Sequence, residues 1–228
     1  MFFFAVPVFG QDSTVNKTPH GFIDLNGYYD TREFSTFTIN LLANFNPRLQ
    51  YFSLNNFDSG KHSTDLSSMY MEHHLRWNFH KKLPLDLAQN LTVMSGSGND
   101  NLKYGLRWRW NQTPRLQNLL DKLHLMYFVN FHLVQFAEGT APKGFTQIEH
   151  VYRLQVIPGW FKDRVYIFGF ADQDIIWRNG GASFRWVTET QLGIRLAGQF
   201  YLVAEYRFNQ YLNEKNGVGF GLEYIINY

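Results

Sequence analysis

The chain has no cysteine, which excludes disulfides, thiolate metal sites and cysteine nucleophiles. It also has no run of 18 apolar residues, and its mean hydropathy is below zero at -0.30. A helical membrane span is therefore excluded. Charge of one sign is scarce too: the net charge is only +2, which leaves no electrostatic footprint for a nucleic acid. What the chain has in excess is aromatic side chains, 22 Phe, 13 Tyr and 6 Trp among 228 residues. That is more than a soluble core of this size uses, and it suits a barrel that carries aromatic girdles where it meets lipid.

The last residues, "GVGFGLEYIINY", show the organising pattern. Val218, Phe220, Leu222, Tyr224, Ile226 and Tyr228 are apolar or aromatic, whereas Gly217, Gly219, Gly221, Glu223, Ile225 and Asn227 are small or polar with one exception. A period of two means a strand with one oily and one wet face. The same alternation recurs in "NLKYGLRWRWN", where Leu102, Leu106, Trp108 and Trp110 oppose Lys103, Arg107 and Arg109, and in "RWVTETQLGIRL" and "YLVAEYRFN". Twelve such segments are expected, near residues 21–31, 33–43, 47–57, 68–79, 84–94, 101–112, 123–136, 146–157, 164–174, 183–196, 199–211 and 217–228. Each is close to the length a tilted strand needs to cross the hydrocarbon. An even number of strands places both chain ends on one side.

The expectation is thus an all-β chain: a single antiparallel transmembrane β-barrel of about twelve strands in the bacterial outer membrane, both termini periplasmic. Lipid covers the oily face, and closure leaves no strand edge unpaired. The competing fold is a soluble lipocalin-like barrel. It would have to enclose all the apolar faces, more surface than a small core can use. "NFNP" and "LAGQ" read as tight periplasmic turns, and "FDSGKHSTDLS", "SGSGND", "AEGTAPKG" and "IIWRNGGA" as outer loops. "TPRLQNLLDKL" reads as a short helix with Thr113 at its N-cap and Pro114 at N1. Residues 1–10, "MFFFAVPVFG", read as the remnant of a signal peptide cut before Gln11, although no basic segment precedes the apolar stretch. Residues 11–228 then form the barrel domain.

The inferred lumen face holds Asp24, Asp30, Glu72, Arg76, Asp86, Lys103, Arg107, Arg109, Glu149, Arg153, Asp172, Asp174, Arg185, Glu189, Arg195, Glu205, Arg207 and Glu223. Acids and bases nearly balance, whereas a strongly ion-selective pore carries rings of one sign. The balance suits a neutral or zwitterionic solute; the plain alternative is Arg–Glu and Arg–Asp ladders that fill the interior. No cofactor is implied. "GKHS" lacks the context of a phosphate loop. His73 and His74 are adjacent on a strand, face opposite sides and cannot share a metal. His62 and Ser63 faintly suggest an outer-membrane lipid hydrolase without an orienting acid or amide.

"FIDLNGYYDTREF", "YFSLNNFD", "MEHHLRW" and "GFADQDI", in this order and with the terminal Tyr228, resemble the Tsx-like nucleoside-specific channel-forming proteins of the outer membrane. The resemblance spans nearly all of residues 11–228. It implies a narrow twelve-stranded channel passing nucleosides by weak binding, with Tyr28, Asp30, Arg32, Glu72, Arg76, Asp172 and Asp174 along the path. The terminal Tyr228 also resembles the closing residue of outer-membrane proteins, which implies that the barrel assembly machinery recognises the C-terminal strand. The outer loops are shorter and the lumen arginines more numerous than in that family. A plugged barrel that acts as a partner in an envelope complex is the main functional alternative.

Overall fold

In a computed structural model, residues 19–63, 65–96, 98, 100–137, 143–178 and 181–228 are described. The expected signal segment 1–10 and most of the loop "AEGTAPKG" lie outside them. Twelve strands follow one another: β1 (His20–Asp30), β2 (Phe34–Asn46), β3 (Leu49–Ser59), β4 (Leu66–Trp77), β5 (Leu85–Met94), β6 (Asn101–Arg109), β7 (Leu125–Ala137), β8 (Lys143–Gln155), β9 (Val165–Arg178), β10 (Gly181–Ala197), β11 (Phe200–Asn209) and β12 (Asn216–Asn227). Every strand pairs antiparallel with its neighbours in sequence, and β1 pairs β12, from Phe22↔Asn227 to Asp30↔Gly219. The barrel is closed, so no edge needs covering. Beyond the last strand, Tyr228 still exchanges backbone hydrogen bonds with Gly21, and its phenol donates to the Leu42 carbonyl at 3.0 Å. Its side chain thus leaves the lipid-facing series to which the alternation assigned it.

The molecule is inverted relative to a soluble domain. Its most buried side chains include Asp30, Asp86, Asn90, Asn130 and His132, whereas Phe220, Leu222, Leu202 and Tyr104 are exposed. An exterior of that kind is stable only against hydrocarbon, and an interior of that kind only if its polar groups pair or meet water. Aromatic pairs bind the outer wall together: Trp108 on Trp110 at 5.2 Å, Trp110 on Tyr127 at 4.7 Å and Phe200 on Tyr224 at 4.5 Å between centroids. Among the described residues the apolar cluster inside is small: Tyr166, Tyr201 and Val203, with Phe168 and Ile225 against it.

Leu222 sits midway along β12, opposite Leu202 on β11 and Gly27 on β1, and is 53% exposed. Leu222→Lys should therefore lower stability in lipid vesicles by about 2–4 kcal/mol if this register lies near the bilayer midplane. Urea unfolding monitored by tryptophan fluorescence measures it. An unchanged midpoint would place that face of β12 away from lipid.

Local chemistry shifts several expected boundaries. The segment expected as a strand over 101–112 ends at Arg109, and Trp110–Gln112 forms a 3-10 turn. The connection helix, α1 (Leu116–Lys122), begins later than expected because Thr113 is otherwise engaged. Its hydroxyl accepts from the Trp108 indole at 2.9 Å and donates to the Arg109 carbonyl at 3.1 Å, and it makes no cap to the helix. The helix takes the Thr113 backbone carbonyl instead, which accepts from Leu116 and Gln117. A second short helix, α2 (Pro158–Phe161), occupies the turn after β8, where the alternation continues to residue 157. It starts after Ile157 at φ 38°, which breaks the extended backbone two residues early.

Candidate functional site: the lumen

Because side chains alternate along each strand, all twelve strands send one face inward, and together they line a single cavity of about 2450 Å³. It reaches Asn46, Gln112, Gly198 and Asn227 at the rim carrying the described chain ends and Arg32, Asp58, Trp177 and Tyr211 at the other. A small-molecule pocket is usually roughly 300–1,000 Å³ and blind. This cavity is larger and runs from rim to rim.

One wall, built from β4 to β9, is rich in carboxylates. Glu72 accepts from the Tyr70 phenol, from His74 at 2.9 Å and from Asn90 at 3.3 Å. Glu149 accepts from Asn130 at 2.6 Å and His132 at 3.4 Å. The amide of Gln147 joins the rest: its oxygen accepts from Lys103 at 2.7 Å, and its nitrogen donates to Asp172 at 3.1 Å and Asp174 at 2.9 Å. That amide thus links two carboxylates to one ammonium. At the outer rim, the Tyr211 phenol donates to Asp174 at 2.7 Å. Burial and that hydrogen bond push its pKa upward, so the loop tyrosine remains a donor at neutral pH.

On the opposite wall, Arg207 bridges Glu189 at 3.2 Å and Glu205 and lies 4.7 Å over the Tyr28 ring. Nearby, Arg32 in the β1–β2 turn grips Asp30 through Nε at 2.8 Å and Nη2 at 2.7 Å. The hydrogen bond to Asp30 raises the pKa of Arg32 further. Lower down, Arg153 lies 4.2 Å over Tyr166, whose phenol donates to Glu223; Gln191 donates to the same carboxylate at 3.1 Å. Arg195 pairs with Asp163.

Charge reverses near the foot of β4 to β6. Asp86 receives Arg107 Nε at 2.7 Å and Arg109 Nη2 at 3.3 Å, and Arg76 joins this group from β4. Here two guanidinium groups hold one carboxylate and a third stands beside them on Gln50, so cations outnumber acids where the reverse holds around Gln147. The nearly neutral total therefore conceals a lumen divided into acidic and basic patches.

The candidates for the solute path fall into separate places. Tyr28 and Arg32 line the cavity beside Glu189, Glu205 and Arg207; Glu72, Asp172 and Asp174 line the other wall; Arg76 stands lower. Asp30 is fully buried behind Arg32 and does not reach the cavity. Among the other lumen charges, Arg107, Arg109, Glu149, Arg153, Glu189, Arg195, Glu205, Arg207 and Glu223 all line it. The ladders are real, but they leave Arg76 and Arg153 without a carboxylate within salt-bridge distance among the described residues. A search for charges alone missed Gln50, Gln147, Phe52, Phe128, His74 and His132. Gln50, Phe52, His74 and Gln147 share parity with charged residues of their own strands, which was the available signal. Strand β7 carries no charged residue, and there Phe128 and His132 share parity with Asn130.

His73 points outward and bonds the Tyr51 phenol at 2.7 Å, whereas His74 points inward. Among the described residues, no group of three or more His, Asp or Glu side chains could hold a metal. His62 contacts Glu33 at 3.1 Å, and the Ser63 hydroxyl accepts the Asp65 N–H. Each side chain is thus directed to a partner other than its neighbour.

Fold and lumen together define a closed twelve-stranded β-barrel of the outer-membrane kind, with a polar interior and a lipid-facing exterior. No family model and no curated protein matches the sequence. Among solved structures, the chain is similar to the KdgM porin, with a TM-score of 0.52 at 13% identity over 89% of this chain and 98% of that one. The same porin in complex with disordered oligogalacturonate gives 0.51 at 13% identity with equal coverage. The NanC porin gives 0.53 at 7% identity, again covering 89% and 98%. At such identities the likeness establishes the fold.

Proposed function

We propose that the protein is a passive channel for small polar solutes across the outer membrane, with nucleosides as its first solute class. The observation that carries this reading is the cavity that reaches both rims and is lined by charged, amide and aromatic groups. Passage needs binding strong enough to admit a solute and weak enough to release it. A nucleoside offers a base for stacking on such surfaces as the Arg207–Tyr28 pair and ribose hydroxyls for the Asp172 and Asp174 carboxylates. The resemblance to Tsx-like channels supports the same solute. Assembly would begin from the C-terminal strand, whose end at Tyr228 suits recognition by the barrel assembly machinery.

Liposome swelling tests this. Nucleosides should enter faster than sugars of equal mass, and Asp172→Ala should reduce that preference while the folded barrel keeps its gel mobility. Equal rates for nucleosides and sugars would remove the nucleoside assignment. No uptake of either would favour a structural barrel in an envelope complex, and lipid release from mixed micelles would reveal a hydrolase.

A further inference from the structure

The foot of β4 to β6 holds an arrangement that neither the ladders nor a nucleoside path explains. Arg76 Nη1 and Arg107 Nη1 both donate to one acceptor, the Gln50 amide oxygen, at 3.1 and 2.6 Å. Both guanidinium groups also lie over the same ring, Phe128, at 5.5 and 5.4 Å, and Arg76 is sandwiched by Phe52 at 5.6 Å on another side. Gln50 is held in turn, since its amide nitrogen donates to Asn44 at 2.7 Å. Two cations thus converge on a neutral oxygen that is a weak acceptor for both.

No carboxylate among the described residues lies within salt-bridge distance of Arg76. Only 5% of it is exposed, it lines the cavity, and its Nε has no hydrogen-bond partner. The carboxylates that could reach it are committed elsewhere: Asp86 to Arg107 and Arg109, Glu72 to Tyr70 and His74, and Glu149 to Asn130 and His132. A buried guanidinium with a free donor is costly unless water or an anion completes it, and an anion also supplies the missing counter-charge.

We infer that Arg76 and Arg107, held on Gln50 and Phe128, form an oxyanion-binding site for a carboxylate or phosphate group of a small solute in the lower lumen. The planar fork of arginine suits two-point recognition of such groups. The site goes beyond the nucleoside reading and is independent of it, because equilibrium binding needs only access from the lumen.

Equilibrium dialysis of the folded, detergent-solubilised barrel against labelled inorganic phosphate, with acetate in a parallel series, tests the site. About one anion should bind per barrel, and Arg76→Gln should weaken binding about tenfold or more. Arg185→Gln, which removes an arginine stacked on Tyr211 at the other end, should leave it unchanged. If Arg76→Gln is not recovered folded, Arg76→Lys keeps the charge without the fork and should give an intermediate loss. Preference between phosphate and acetate identifies the group recognised. Absence of binding to the wild-type barrel, or equal affinity in the Arg76 variant, overturns the inference. The dialysis result stands whether or not the barrel conducts, so it fails separately from the channel reading.

Discussion

Gly221→Val should abolish the folded barrel, whereas Gly27→Val, across the same seam, should be tolerated. Gly221 lies on β12 opposite Tyr28. A Cβ built there would stand 2.1 Å from the Gly27 carbonyl oxygen and 2.5 Å from the Tyr28 Cβ, so the clash is with backbone and a side-chain root rather than with a mobile tip. Crowding in a packed interior typically costs about 1–3 kcal/mol, and more where the backbone must move. Here the displacement also opens the pairing of β1 with β12 that closes the barrel, and open strand edges in hydrocarbon cost several kcal/mol per unsatisfied group. Gly27 faces outward, with nothing within 4 Å of the added carbon. Mobility of unheated samples on a denaturing gel separates the two variants. A folded band of normal intensity for Gly221→Val would show that the seam is looser than its geometry.

A second large effect is expected at Asp86. This carboxylate is 2% exposed and, among the described residues, is the one acid that touches both Arg107 and Arg109. Asp86→Ala leaves two guanidinium groups beside Arg76 with no counter-charge in contact. Breaking a buried pair by removing one partner costs about 3–5 kcal/mol. Water in the lumen reaches Arg109 more readily than Arg107, which points to the lower end of that range. Denaturant midpoints should fall accordingly, and the conductance should shift towards anions. Adding Arg107→Gln should restore part of the stability, because it removes one of the orphaned charges. Unchanged stability in the single variant would mean that solvent, not Asp86, neutralises these arginines.

The alternation of the chain was sufficient to place its faces. Which way a side chain points from a strand is set by the covalent geometry of the residue and its two neighbours, so Leu222 and Glu223 are assigned to opposite sides without any knowledge of what they touch. The aromatic excess and the absence of a long apolar run determined the solvent in the same local way. The number of strands followed, and with it the placing of the first and last strands' free ends on one rim.

What lay beyond the sequence depends on register between strands. Gln50 meets Arg107 across 57 residues, and Tyr166 meets Glu223 across the same separation. Nothing in either segment encodes the partner. Bulges changed the phase as well: the register of β7 slips between His132 and Val134, so Leu133 and Val134 both face outward. Strict alternation would have turned Val134 inward. The turn at Arg32 folds back to bury Asp30, which removes from the cavity a carboxylate whose strand position points into it. The sequence by itself determined a lipid-facing barrel with a charged interior, because those properties are local and periodic. The tertiary structure alone decided which charges cancel and which remain open to a solute, because cancellation requires atoms from distant strands to come within hydrogen-bonding distance.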